Sequence, residues 1–241
     1  MSDIKLLIIV PAYNEESSIR GVVEDIKRHC PEYEYLIVND GSTDGTVALC
    51  EKEGFSYLDL PVNLGLTGAF QAGMLYAYEN GYDAAMQFDG DGQHRAEYIP
   101  LLVEKLLEGY DIVIGSRFIT VKKPLTLRMA GSFFISFAMR LTTGFRMCDP
   151  TSGMRLFDRE MLEHFAKDPN YAPEPDTVSY LIRCGAKVRE VQVEVDERVG
   201  GRSYLTFVKS VVYMAQITCS ILLIQWFRRN DLKEERRKKN D

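Results

Sequence analysis

The sequence has no surplus of positive charge: 29 Lys and Arg stand against 35 Asp and Glu, for a formal net charge of -6. That excludes a general nucleic-acid binder, whose footprint on a polyanion is basic. Cysteine is scarce. Cys30, Cys50, Cys148, Cys184 and Cys219 are odd in number and widely spaced. They have neither metal-ligand nor redox-motif spacing, so they read as reduced thiols in a cytoplasmic setting. No G-x-x-x-x-G-K-S/T occurs and no G-x-G-x-x-G follows the first strand, which disfavours a kinase and a dinucleotide oxidoreductase. The N-terminus lacks the basic region, apolar core and cleavage site of a secretory signal and runs straight into Ile4–Val10. The chemistry is therefore expected to face the cytoplasm. Long apolar runs are missing too. Val211–Phe227 is interrupted by Gln216, Thr218, Ser220 and Gln225 and is short for a membrane span.

What is present is a chain of 241 residues, 46% hydrophobic and 27% charged, enough for one sizeable domain with a small appendage. Short apolar runs at Leu6–Val10, Tyr35–Val38, Ser56–Leu60, Ala84–Phe88 and Ile112–Gly115 alternate with helical patterns at about 16–29, 44–53, 67–80 and 97–108. Continuously apolar strands separated by helices predict an α/β fold with a mostly parallel sheet covered on both faces. Ligands of such sheets bind at the carboxyl ends of the strands. The loops beginning at Pro11, Asn39 and Asp89 are therefore expected to carry the chemistry.

The second half differs. Leu127–Phe145 is apolar but carries Arg128, Ser132, Ser136 and Arg140 at every fourth position, a polar stripe along one side of a helix. Val211–Phe227 reads as an interfacial helix with Trp226 and Arg228-Arg229 at headgroup level; an ordinary pair of core helices is the alternative. From Arg228 to Asp241 seven Lys and Arg face four Asp and Glu, so this stretch is locally +3. The expected division is a main domain over 1–206 (with the amphipathic 127–145 helix inside it), an apolar helix over 207–230 and a basic tail over 231–241.

Three loop motifs follow the strands. Val10-Pro11-Ala12-Tyr13-Asn14-Glu15-Glu16 offers Tyr13 as a flat surface for a base or ribose and Glu15 as a hydroxyl acceptor; alone it reads equally as acids at a helix start. Asn39-Asp40-Gly41-Ser42-Thr43-Asp44 offers Asp40 to the ring N–H of a uracil or guanine, a partner that makes a buried carboxylate tolerable; its plain reading is Ser42 or Asp44 capping the next helix. Asp89-Gly90-Asp91-Gly92-Gln93-His94 sets two carboxylates one residue apart, able to converge on a hard cation, Mg²⁺ or Mn²⁺. A calcium loop of the helix–loop–helix type fails on spacing: counting from Asp89, position six is His94 and position twelve Pro100. Together the three motifs make a nucleoside-diphosphate site without a lysine loop.

VPAYNEE, VNDGSTDGT, NLGLTGAFQAG, QFDGDGQH and IGSRF, in this order over about residues 4–205, resemble an inverting family-2 glycosyltransferase. The resemblance implies the Rossmann-like nucleotide-sugar-binding fold of GT-A type. DPTSGMRLFDREML, YAPEP and ERVGGRSYL are similar to the polyprenyl-phosphate glycosyltransferases, the dolichol-phosphate-mannose synthase-like branch. By that resemblance Pro11, Ala12, Tyr13, Glu15, Asp40 and Gly65 contact the nucleotide-sugar, and Asp89, Asp91 and Gln93 hold the metal. Arg117, Arg128 and Ser132 hold the acceptor phosphate, and Arg198 belongs to a mobile loop closing over the donor. One departure is visible: where many relatives have Lys after the Ser of R-x-x-G-x-S, this chain has Tyr204.

The expected reaction is a direct displacement at the anomeric carbon, from a UDP- or GDP-linked sugar. The cation at Asp89 and Asp91, the latter expected to be catalytic, opposes charge on the leaving group. A polyprenyl phosphate, undecaprenyl or dolichyl, is already ionised and needs arginines rather than a base. A sugar hydroxyl of a lipid-linked or cell-surface polysaccharide is the alternative acceptor and needs a carboxylate base, for which Asp149 and Glu174 are the fallback candidates. A non-catalytic interaction protein on the same fold is the third reading. The expected location is peripheral, on the cytoplasmic face of the membrane. The apolar helices meet the headgroups there, or dock onto a small membrane protein or a second copy. The residues do not discriminate among glucose, N-acetylglucosamine, galactose and mannose donors.

Overall fold

The computed structural model describes residues 4–124, 127–168, 171–197 and 207–227, with the side chains of 127–128 and 207–210 left aside. The elements run β1 (Leu6–Ala12), α1 (Ile19–His29), β2 (Glu34–Asn39), α2 (Thr46–Glu53), β3 (Tyr57–Asp59), α3 (Gly65–Glu79), β4 (Ala84–Gln87), a 3₁₀ turn (Ala96–Tyr98), α4 (Ile99–Leu107) and β5 (Ile112–Ser116). They continue through α5 (Leu127–Thr143), β6 (Arg155–Phe157), α6 (Arg159–Lys167), α7 (Pro175–Arg183), β7 (Val188–Gln192), α8 (Phe207–Leu222) and a second 3₁₀ turn (Ile224–Phe227). The five expected strands and four expected helices of the first half are all present. Boundaries move by a few residues, most at α1, which starts only after the loop of the first motif.

One sheet joins seven strands in the order β3-β2-β1-β4-β6-β5-β7. All pairings are parallel except those of β6, which runs antiparallel to both β4 and β5. Alternate residues of each strand face opposite layers. On β1, Leu7 and Ile9 join the core beneath α3, α6 and α7, while Leu6, Ile8 and Val10 join the core beneath α1 and α4. Burial on both faces explains why these strands are uninterrupted apolar runs.

The order β2-β1-β4 has a functional consequence. It sets the loops after these three strands side by side at the carboxyl edge, as the sheet rule requires.

α5 and α8 pack against each other and against α7. Ile135, Ala138 and Met139 of α5 and Ile217 and Ile221 of α8 enter the core. The stripe of polar residues on α5 does not face one environment: Ser132 is buried and Arg140 exposed. Of the four polar interruptions in 211–227, two turn inward. Ser220 donates to Asp176 Oδ2 at 2.6 Å, and Gln225 Oε1 accepts from Ser179 Oγ at 3.3 Å. Among the described residues no helix is long and apolar enough to cross a membrane. The basic tail lies outside the described residues.

Candidate active site

The first two motifs are stitched together by backbone contacts. Asn14 adopts a left-handed φ of 57°, a conformation asparagine tolerates better than most residues. Its amide donates to Ser42 Oγ at 2.9 Å and its Oδ1 accepts from Thr43 N at 2.8 Å. Ser42 is thereby committed to the first motif, and Asp44 instead accepts from Thr46 N at 3.0 Å at the start of α2. Asp40 is buried at 3% exposure, and its Oδ1 accepts the Leu64 amide at 2.7 Å. That bond brings the start of α3, with Gly65 at φ 75°, to the Asp40 carboxylate. Asp40 Oδ2 has no donor among the described residues.

The third motif packs directly on the first. Ser18 Oγ bridges Glu15 Oε2 at 2.9 Å and the carbonyl of Gly90 at 2.8 Å. A Cβ at Gly90 would lie 2.9 Å from the carbonyl of Pro11, so only glycine lets the acidic turn seat this closely. Pro11 and Ala12, Tyr13 and Glu15, Asp40 and the 89–93 turn therefore share one edge.

Within the turn, Asp89 accepts from Gln87 Nε2 at 3.0 Å, and His94 Nε2 stands 3.5 Å from Asp89 Oδ2. Burial pushes the Asp89 carboxyl up, but His94 and Gln87 outweigh it and hold the group below the usual carboxylate range. Asp91 Oδ1 accepts the Gln93 amide at 3.1 Å. The turn thus offers two carboxylates and a side-chain amide oxygen, donors of the type a hard divalent cation takes. A separate carboxylate trio, Asp111, Asp158 and Glu160, lies at the opposite edge of the sheet, away from this turn. Gln93 Nε2 donates to the carbonyl of Asp196, and Arg95 grips the Asp196 carboxylate. The turn is thus fastened to the stretch leading toward Arg198, which itself lies outside the described residues.

The residues expected to hold the acceptor phosphate come from the end of β5, the segment after it and α5. Arg117 Nε and Nη2 meet the two oxygens of Asp149 at 2.6 and 2.8 Å. Asp149 is fully buried. Its burial raises its pKa, but the Arg117 fork prevails and keeps the carboxyl below its ordinary range. Gln192 clamps this segment, its Oε1 accepting the amides of Ile119 and Thr120. Ser132, buried at 1% exposure, accepts from Lys123 Nζ at 2.9 Å. The Arg128 side chain lies outside the described residues.

Behind both halves sits Arg155, 3% exposed, donating to the carbonyls of Pro150, Ser152 and Pro173. It shapes the 149–154 turn, whose Gly153 lies against Asp89: a Cβ there would fall 1.9 Å from Asp89 Oδ2. Glu174 is bonded to the Tyr213 hydroxyl, and burial raises its pKa against the lowering effects of Tyr213 and Arg155. His94, Lys123, Gly153 and Arg155 are site residues without a role in the sequence motifs above. His94 stands inside a quoted motif and Gly153 beside the fallback acid Asp149, so proximity was the available signal; Lys123 had none.

Residues 7–165 match the glycosyl transferase family 2. Polyprenol monophosphomannose synthase of Mycolicibacterium smegmatis is 29% identical over 215 residues, covering 84% of this chain and 81% of its own. Undecaprenyl-phosphate mannosyltransferase of Micrococcus luteus is 30% identical over 214 residues, covering 84% and 88%. UDP-N-acetylglucosamine–dolichyl-phosphate N-acetylglucosaminyltransferase of Methanococcus voltae is 32% identical, covering 68% and 73%. Among solved structures, glucosyl-3-phosphoglycerate synthase of Mycobacterium tuberculosis, in complex with Mn²⁺, UDP-glucose and phosphoglyceric acid, superposes with a TM-score of 0.67 at 20% identity, covering 92% of this chain and 79% of that one. At that identity the likeness establishes the fold, a GT-A-like α/β domain. The protein is a glycosyltransferase and belongs to glycosyl transferase family 2, on the branch of its polyprenyl-phosphate sugar transferases.

Proposed function

We propose that this enzyme transfers a sugar, with inversion, from a nucleoside diphosphate-sugar to the phosphate of a polyprenyl phosphate at the membrane surface. The observation that carries the choice of acceptor is the state of the two carboxylates that could serve a hydroxyl as base. Asp149 is locked in a bidentate pair with Arg117 and held at low basicity. Glu174, although burial pushes its carboxyl up, already accepts the Tyr213 hydroxyl and lies near the buried Arg155, and both oppose its taking a proton. A hydroxyl nucleophile needs a positioned base with a pKa near the working pH; a phosphate monoester arrives ionised and needs none. The relatives from M. smegmatis, M. luteus and M. voltae, each named for a polyprenyl acceptor, support the same acceptor class.

On the donor side, Tyr13 flanks the base or ribose, Glu15 takes a hydroxyl and Asp40 accepts from the base through its unused oxygen. Asp89, Asp91 and Gln93 would hold Mg²⁺ or Mn²⁺, and bound there the ion supplies positive charge against the diphosphate. The M. tuberculosis neighbour, solved in complex with Mn²⁺ and UDP-glucose, supports a divalent cation and a nucleotide-sugar in this reading. Arg198 would close over the donor. On the acceptor side, Arg117, Arg128 and Ser132 bound the phosphate. Phe133, Phe134, Phe137 and Leu141 lie exposed along α5, and Leu223, Ile224, Trp226 and Phe227 at the end of α8. Such apolar faces suit a headgroup layer, with the basic tail adding attraction to anionic lipid.

Incubation with radiolabelled UDP- and GDP-sugars and undecaprenyl phosphate, followed by organic extraction, tests the reading. One donor is expected to label the lipid in a metal-dependent manner. Label that reaches only saccharide hydroxyls, with undecaprenyl phosphate untouched, would refute it.

A further inference from the structure

We infer that Lys123 is a further cation that pairs with the acceptor's phosphate beside Arg117, Arg128 and Ser132, and that the adjoining cavity takes the first apolar units of the acceptor's chain; this rests on the proposed acceptor class. The cavity, about 510 Å³, lies between the 118–123 segment, α5 and residues 146–148. Its walls are amphiphilic. Phe118, Val121, Phe133, Phe137 and Met147 give it apolar surface. Among the described residues its charged lining consists of Lys122, Lys123, Arg140 and Arg146, all cationic.

Lys123 is the half-buried one of these four cations, the other three being exposed, and among the described residues its charge is uncompensated. The ammonium is half-buried and lies 5.6 Å from the Phe118 ring. Its one hydrogen bond among the described residues is to the neutral Ser132 hydroxyl at 2.9 Å, and it forms no ion pair with a carboxylate there. The nearby carboxylates are already committed: Asp149 to the Arg117 fork, and Glu190 to the amides of Cys148 and Asp149 at 2.6 and 2.8 Å. Burial accordingly depresses the Lys123 pKa despite the pull of these acids. A partly desolvated cation without a counter-ion is unfavourable in the empty protein and strongly favours an entering anion. Arg117, by contrast, is neutralised by Asp149 before any ligand arrives. A phosphate carrying an apolar chain matches both features at once, its charge on Lys123 and its chain along the phenylalanines.

The experiment measures binding of farnesyl phosphate, farnesol, inorganic phosphate and 3-phosphoglycerate by calorimetry to wild type and to K123M, with melting temperatures recorded for both. Farnesyl phosphate is expected to bind wild type and to weaken by about tenfold or more in K123M, the loss of one charge-assisted contact. Farnesol binding should be weak and unchanged by the substitution. Inorganic phosphate and phosphoglycerate should bind far more weakly than farnesyl phosphate; comparable binding would assign the site to a soluble phosphate and overturn the chain-binding part. K123M should melt at or above wild type, because it removes a desolvated charge. Equal affinity for farnesyl phosphate in both proteins, or a melting loss parallel to the binding loss, would overturn the inference. Lys123-dependent binding without sugar transfer would leave it standing while removing the proposed function.

Discussion

Two residues at the site are placed by contacts that tolerate no change in size or charge. Gly153 is one, because the Asp89 carboxylate occupies the space of its missing Cβ. Gly153→Ala is expected to push Asp89 out of the turn and cut metal-dependent transfer by about a hundredfold, the scale of effect of a misplacement near 1 Å. Its stability cost should be only about 1–3 kcal/mol, that of local overpacking. A manganese titration of the transfer rate, beside urea unfolding, separates the two. Asp149 is the other. Asp149→Asn leaves the partly buried Arg117 without its counter-charge, an expected loss of about 3–5 kcal/mol. Because the Asp149 pKa is lowered on folding from 3.8, the stability it lends is present above that value and is lost as pH falls through the lower folded one. The gap between wild type and variant in urea melts should therefore be full near neutral pH and close in acid. A gap independent of pH would contradict the ion-pair account.

At the scale of elements, β1, β2, β4 and β5 were legible because each is a short apolar run buried on both faces. β6 was not. Its three residues begin with Arg155, a charge that periodicity assigns to a surface, and only the carbonyls of Pro150, Ser152 and Pro173 make it tolerable inside. β7, VREVQ at the sheet edge, carries two charged residues in five and gives no apolar run. That Tyr13, Asp40 and Asp89 meet at one sheet edge was legible because each follows a strand, and these strands are neighbours in the sheet. Gly153 was not, since its meaning comes from Asp89, distant in sequence, and Lys123 was not, since its burial and its lack of a counter-ion are set only by the folded chain. The same non-local logic governs α8. The Tyr213 hydroxyl holds Glu174, and Ser220 holds Asp176, so this apolar helix is keyed to α7 by polar contacts. Tyr213→Phe should destabilise the fold by about 1–3 kcal/mol, the cost of a buried acceptor losing its donor. Glu174 has a pKa raised above its ordinary 4.5, so its contribution is most favourable below that value and diminishes as pH rises through the folded one. The defect of Tyr213→Phe should accordingly be larger in neutral than in acidic buffer, as thermal melts at the two conditions would reveal.

For the whole molecule, the proposed reaction divides labour between the two flanks of the sheet. The β2-β1-β4 side presents the donor loops, and the β5–α5 side presents Arg117, Ser132 and the amphiphilic cavity next to exposed phenylalanines. In the proposed reaction that arrangement would let a lipid remain in a bilayer while its phosphate reaches the sugar. Replacing Phe133 and Phe137 together with Ser should reduce recovery on anionic vesicles in flotation while leaving the melting temperature nearly unchanged, since both side chains are more than half exposed; unchanged recovery would remove the membrane contact from the account. The whole scheme rests on the 89–93 turn, the Asp40 carboxylate and Tyr13 acting as one nucleoside-diphosphate site. Calorimetric titration of UDP and GDP, with and without Mn²⁺, into wild type, Asp91→Ala and Tyr13→Ala tests that most directly. One nucleotide should bind tightly only with the metal. Asp91→Ala should abolish the metal-dependent gain, and Tyr13→Ala should weaken binding while keeping it. A gain from Mn²⁺ that survives Asp91→Ala undiminished would contradict the site.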